Sequence, residues 1–275
     1  MGWRRWAGQL ELKVARRARR YVKAPETIAR LVAEGFRQGV DHVILSGDLT
    51  ALAVDAEFEG ALRALGDLAS RPDKLTVVPG NHDLFTPGSR RKNRFESWFG
   101  HLLDSDLPEL RGEGAWPHVR LVGDDAAVVG LCSARVPLLP GIAAGRVGDA
   151  QLGALEKICE RLRGRSIHVV VHHAPLRWDG SIDRRDHGLA DARALLDVCT
   201  RGGVTAIHCG HIHIRYAWQV PGGPMVIGGG SSTWLGHEGY WIVDSAAGRL
   251  TGLQNCALEP EVAPEAAPVL VASAG

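Results

Sequence analysis

The chain has 275 residues, 45% of them apolar, which suffices for a substantial core and excludes intrinsic disorder over most of its length. Its 32 Lys and Arg nearly cancel its 31 Asp and Glu, so no overall field marks a nucleic-acid binder or an acidic tail protein. The five cysteines, Cys132, Cys159, Cys199, Cys209 and Cys256, are widely spaced without a C-x-x-C pair, which points to a reducing, cytoplasmic setting, and no apolar run approaches the roughly 18 to 20 residues that span a bilayer.

Residues 1–23 carry eight basic side chains and one acidic one, with Trp3, Trp6, Leu10, Val14 and Tyr21 at helical spacing. This predicts a basic amphipathic helix, which either makes weak contact with an anionic membrane surface or packs its apolar stripe on the domain with its arginines in water. A second helix follows over Ala24 to Gly39, with Pro25 in its first turn and Ile28, Leu31, Val32 and Phe36 on one face. Thereafter strands and helices alternate. Asp41 to Ser46 and Leu75 to Val78 read as buried strands on either side of a helix from Asp55 to Ser70, which implies a parallel sheet covered on both faces. Arg94 to Leu103 is helical in pattern, and His118 to Ser133 is a hairpin turning at Gly123-Asp124-Asp125. A helix from Asp149 to Leu162, a strand from Ser166 to Val171, a helix from Ala190 to Thr200 and a strand from Val204 to Cys209 complete the alternation. From Ile214 to Asn255 short strands are expected, mostly antiparallel, with turns at Pro221 to Pro224, Gly228 to Gly230 and Ala246 to Gly248. Residues 257–275, rich in Ala, Pro and Val, are expected to be a disordered tail.

Four segments carry unusual polar residues, and each follows directly on a predicted apolar strand: Gly47-Asp48, Gly80-Asn81-His82-Asp83, His172-His173 and Gly210-His211-Ile212-His213. Ligands in α/β sheets bind outside the carboxyl ends of strands, so four such loops can converge on one point. Aspartate, asparagine and histidine together form the donor set of Mn, Fe, Zn or Co rather than of a thiolate-seeking metal. On an extended segment His211 and His213 point to the same face, as two ligands of one cavity would.

In this order, ILSGDLT (44–50), VVPGNHD (77–83), VVVHHAP (169–175) and CGHIH (209–213) resemble the signature of the calcineurin-like metallophosphoesterases, particularly their bacterial phosphodiesterase branch. The resemblance implies an α/β fold in which a two-sheet sandwich is flanked by helices, occupying residues 24–256. It implies two divalent metals bridged by Asp48, the second completed by Asn81, His172 and His211, and the first bound by His213. His82 is then the histidine that faces the substrate phosphate without binding metal. Asp83 either orients His82 or caps the turn after it. His172 is chosen over His173 because it follows the strand immediately, with His173 behind it. The family's opening strand ends in Asp-x-His, and no Asp-x-His precedes Gly47-Asp48 here. The first strand of the fold is therefore expected to be missing, through a start site upstream of Met1 or through divergence, and one metal is expected to bind tightly.

The expected activity is phosphoester hydrolysis, of diesters in particular, by attack of a metal-activated hydroxide on phosphorus. The alternative is a non-catalytic, single-metal binding module on the same fold. The expected partner is a small phosphoester; no nucleic acid is indicated. Arg90, Arg91, Lys92 and Arg94 either meet substrate anions or start a solvated helix. His187, beside Asp183 and Asp186, borders the site or faces water, and Trp178 and Trp234 are candidate pocket walls.

Overall fold

The computed structural model of the protein describes residues 21–84, 86–136 and 142–258. Residues 1–20 of the expected basic helix, and the expected tail from residue 259, lie outside them. The first described helix, α1 (Ala24–Gln38), starts with Pro25 where an N–H would have no helical partner, and carries Glu26 in its first turn and Arg37 in its last. It is followed by β1 (Val43–Leu45), α2 (Asp55–Leu65), β2 (Leu75–Val77), α3 (Pro87–Arg91) and α4 (Arg94–Phe99). Then come the hairpin β3 (His118–Val122) and β4 (Ala126–Gly130), α5 (Asp149–Arg161), β5 (Ser166–Val170), α6 (Ala192–Arg201) and β6 (Ala206–Cys209). The last elements are β7 (Arg215–Gln219), β8 (Met225–Gly229), β9 (Gly239–Ala246) and β10 (Arg249–Ala257).

The main sheet has six strands in the order β3-β4-β5-β6-β8-β7. Its four inner strands run parallel and the two edges antiparallel. The inner strands β4, β5 and β6 are buried on both faces, which is why they read as near-continuous apolar runs. On β4, Val129 joins one core with Leu152, Leu155 and Ile158 of α5 and Leu195 of α6, whereas its neighbour Val128 joins another with Leu75 and Val77 of β2, Phe58 of α2 and Phe95 and Phe99 of α4. The second layer consists of the parallel pair β1-β2, in register Val43↔Leu75 to Leu45↔Val77, and the β9-β10 hairpin. The hairpin is tied down by Trp241 Nε1 donating to Gly228 O (3.0 Å) and by Thr205 Oγ1 donating to Gly248 O (3.1 Å). Helices outside both sheets complete the expected α/β sandwich. Among the described residues β1 pairs with β2 alone.

Two expectations change. The helix expected over Asp55 to Ser70 ends at Leu65, and Gly66–Ser70 tightens into a 3-10 turn. The turn expected at Gly228 to Gly230 is instead strand for its first two residues, and β8 adds to β6 in parallel. The reason is packing: a Cβ on Gly228 would stand 2.1 Å from Cε1 of Tyr216, so the residue is glycine to admit a ring from the neighbouring strand.

Candidate metal centre

All four polar segments leave carboxyl ends of strands. β1 runs into Ser46-Gly47-Asp48, β2 into Gly80-Asn81-His82-Asp83, β5 into His172-His173 and β6 into Gly210-His211. The first pair of strands belongs to the small sheet and the second pair is adjacent in the large one, so the loops meet at the seam of the sandwich. Missing side chains allow the meeting. Gly47 has φ 103°, and a Cβ there would stand 2.6 Å from Gly80 N and 2.8 Å from His172 Nδ1; a Cβ on Gly80 would stand 2.0 Å from Asp48 Oδ1. Asp48 (φ 58°), His211 (67°) and His213 (59°) all occupy the left-handed region, a concentration of backbone strain that surrounding bonds have to hold.

The side chains converge through Asn81. Its Oδ1 is 3.1 Å from His172 Nε2 and 3.1 Å from His211 Nδ1, and Asp48 Oδ2 is 3.4 Å from the same His172 Nε2. Each histidine has its other nitrogen committed to a carbonyl: His172 Nδ1 donates to Ser46 O (2.7 Å) and His211 Nε2 to His187 O (2.9 Å). In the neutral tautomers these bonds fix, two imidazole lone pairs, an amide oxygen and a carboxylate oxygen face one another with no donor between them. Such a set of acceptors calls for a positive charge at its centre, and its donor types fit a divalent metal. A proton can also answer it: burial lowers His172, but the charge of Asp48 and its hydrogen bond outweigh burial and raise it. Burial would likewise raise Asp48, yet the charges of His172 and then His82 hold it well below the usual carboxylate range. His211 is pushed down to about 3, by burial first and then by His172 and His187, and stays neutral as a ligand must. Among the described residues no group of three drawn from His, Cys, Asp and Glu is arranged to hold a metal; Asn81 is the shared member of this cluster.

Asp83 is buried and accepts from Gly80 N (2.8 Å), Leu49 N (3.3 Å), Thr50 N (2.9 Å) and Thr50 Oγ1 (2.9 Å), bonding the first loop to the second. Burial and then the charge of Asp48 push it upward, against the hydrogen bonds from Gly80 and Thr50 that favour its ionised form. His82 is placed by its own backbone N–H on Asp48 Oδ1 (3.0 Å) and by its ring Nδ1 on Ala51 O (3.0 Å). His173 has both ring nitrogens engaged, Nδ1 with Ser133 Oγ (2.8 Å) and Nε2 with Ala143 O (2.9 Å), as a residue standing behind the ligands would. His213 is exposed, its ring 5.9 Å from that of Trp234. The expectation of an extended segment from His211 to His213 is corrected: both residues take left-handed backbone, Ile212 N donates to Gly210 O (2.7 Å), and His211 is buried while His213 is exposed. Arg94 is turned to Ala53 O (2.7 Å) and Asp55 (3.2 Å), while Arg90, Arg91 and Lys92 are exposed.

These residues and this order of loops bear on a family. A model of the calcineurin-like phosphoesterases matches residues 22–215. The chain belongs to that family. It is a metallophosphoesterase, a hydrolase of phosphoesters that uses divalent metal. Among solved structures it is similar to a dimetal phosphatase from Danio rerio, at 14% identity and a TM-score of 0.63, over 86% of this chain and 87% of that one. A Thermus thermophilus protein is similar at 13% identity and a TM-score of 0.52, over 85% of this chain and 93% of that one. A putative 5'-nucleotidase from Staphylococcus aureus, solved with alpha-ketoglutarate, is similar at 16% identity and a TM-score of 0.50, over 84% of this chain and 48% of that one. At such identities the likeness is one of fold. No curated protein matches. Among the described residues of this metallophosphoesterase no helix is long and apolar enough to cross a membrane.

The sequence reading missed the partners that fix the metal centre. Ser46, Ala51 and His187 contribute backbone carbonyls, for which side-chain identity carries no signal, and His187 reaches His211 across 24 residues. His187 was legible as a residue bordering the site, though not for its carbonyl, and Thr50, two residues after Asp48, has a side chain that bonds Asp83.

Proposed function

We propose that this metallophosphoesterase is a phosphodiesterase in which Asp48, Asn81, His172 and His211 hold one divalent ion tightly. The observation that supports it most is the acceptor cluster centred on Asn81, whose tautomers are set by Ser46 O and His187 O. A bound ion would supply an acidified water and a Lewis acid for a phosphoryl oxygen. The chain's own residues do the rest. Asp48 keeps its charge at the centre. With Nδ1–H donated to Ala51 O, His82 would act as the imidazolium, passing its Nε2 proton to the leaving alkoxide and returning to the neutral ring. Asp83 keeps the two loops at their separation. The reading as a phosphodiesterase rests on the likeness of the four loop motifs to the bacterial phosphodiesterase branch.

The test is hydrolysis of bis(p-nitrophenyl) phosphate and p-nitrophenyl phosphate by metal-free protein and after addition of Mn2+. The diester is expected to be the better substrate by kcat/KM, and only with metal; Asp48→Ala is expected to abolish turnover, and His82→Ala, with metal content unchanged, to lower kcat on the order of 100-fold on an alkyl diester and far less on these nitrophenyl esters, whose leaving group needs no proton. Preference for the monoester would overturn the diester reading. Tight binding of one ion without hydrolysis of either substrate would favour the single-metal binding module.

A further inference from the structure

His211 is braced from outside the ligand set. Two imidazoles pack against its ring, that of His173 at 4.5 Å between centroids and that of His187 at 4.1 Å. His187 acts on it twice, by ring contact and by the carbonyl that accepts the Nε2 proton at 2.9 Å. That carbonyl decides which nitrogen of His211 faces Asn81. With Nε2–H donated away, the lone pair is on Nδ1, the atom 3.1 Å from Asn81 Oδ1.

Something must in turn hold His187, which lies in a loop with its side chain 37% exposed. Asp183 does so: its Oδ2 is 2.5 Å from His187 Nδ1, and its side chain is 11% exposed. The pair closes a turn in which His187 N and Gly188 N both bond to Arg184 O, at 3.1 and 2.7 Å. The same loop is joined to the segment behind His173, because Ala143 N donates to Asp186 O (2.9 Å) while Ala143 O accepts from His173 Nε2 (2.9 Å). A continuous chain of bonds thus connects the support of one imidazole to the support of the other.

We propose that Asp183 and His187 are the positioning pair of the metal centre, holding the His187 carbonyl and ring so that His211 offers Nδ1 to a divalent ion. The inference rests on the reading of His211 as a ligand. A carbonyl cannot be removed by substitution, but its anchor can. Asp183→Ala and His187→Ala release the loop, His187→Phe keeps a ring against His211 without an N–H for Asp183, and Asp183→Asn keeps an oxygen that accepts from His187 Nδ1.

Metal-free wild type and the four variants are titrated with Co2+, following affinity by calorimetry and coordination by visible absorption. Asp183→Ala, His187→Ala and His187→Phe are expected to weaken Co2+ binding by roughly 10-fold or more and to alter the spectrum, and Asp183→Asn to stay close to wild type in both. Thermal midpoints of the metal-free proteins separate this from unfolding, and the Phe and Asn variants carry the comparison if an alanine variant does not fold. Wild-type affinity and spectrum in His187→Phe would overturn the inference while leaving the metal centre standing. A wild type that binds no Co2+ would overturn both.

Discussion

At the scale of single residues, Asp83 shows how a motif can be legible while its role is not. Its neighbour His82 suggests catalysis, yet its carboxylate takes two N–H bonds and one O–H bond from Leu49 and Thr50 and a third N–H from Gly80, holding Asp48 and Asn81 at the distance their cluster requires. Asp83→Asn leaves one accepting oxygen and turns an NH2 toward donors inside a buried site. It is expected to lower unfolding free energy by about 2–3 kcal/mol, measured by urea denaturation, and to weaken Mn2+ binding in the same protein. Unchanged stability would show that the loops are held by other means. The ligand candidates were readable because Asp48, Asn81, His172 and His211 are polar residues placed directly after apolar strands, an arrangement with a cost that only a site explains. Their orientations were not. The left-handed φ of Asp48, His211 and His213 is imposed by tertiary bonds, so the extended alternation expected from His211 to His213 does not form.

At the scale of elements, strands and helices were legible wherever burial repeats with a clear period. The hairpin at Gly123-Asp124-Asp125 joins β3 and β4 at the expected place, because turn residues stand between two apolar runs. The run from Asp149 ends as a helix at Arg161, one residue short of expectation. Position within a sheet was harder to see. β8 lies between β6 and β7, which requires the chain to leave β6, form the edge strand and come back inside it; nothing local to Met225–Gly229 distinguishes that from a plain meander. Gly228 misled for a related reason, since glycine serves a tight turn and a close ring contact equally well, and Tyr216 is what decides between them. The helix from Asp55 reads as longer than it is because the 3-10 turn after it continues to bury Leu68.

At the scale of the whole molecule, four histidines away from the Asn81 cluster couple folding to pH. Burial pushes His42 and His168 down to about 4 and His118 and His208 down to about 3. His168 Nδ1 meets His208 Nε2 at 3.0 Å, where two added protons would confront each other, and among the described residues neither ring nitrogen of His118 has a hydrogen-bond partner. These groups are neutral when folded and take up protons near 6.5 when unfolded, so the unfolded chain binds more protons as pH falls. Stability is full above pH 6.5 and is lost below it, at about 1.4 kcal/mol per pH unit for each histidine until the folded values are reached. The protein is expected to be markedly less stable to urea at pH 5.5 than at pH 7.5. His118→Leu, which removes an unpaired imidazole, is expected to reduce that loss by about 1.4 kcal/mol. Equal losses in both proteins would show that His118 does not stay neutral when folded.

The proposed metal centre places one divalent ion among Asp48, Asn81, His172 and His211. Anomalous diffraction from a crystal of the protein soaked in Mn2+ tests it most directly. A strong peak is expected within coordinating distance of Asn81 Oδ1, His172 Nε2, His211 Nδ1 and an Asp48 carboxylate oxygen, with Ser46 O and His187 O still bonded to the opposite nitrogens. No peak at this position, or one coordinated through His172 Nδ1 or His211 Nε2, would contradict it.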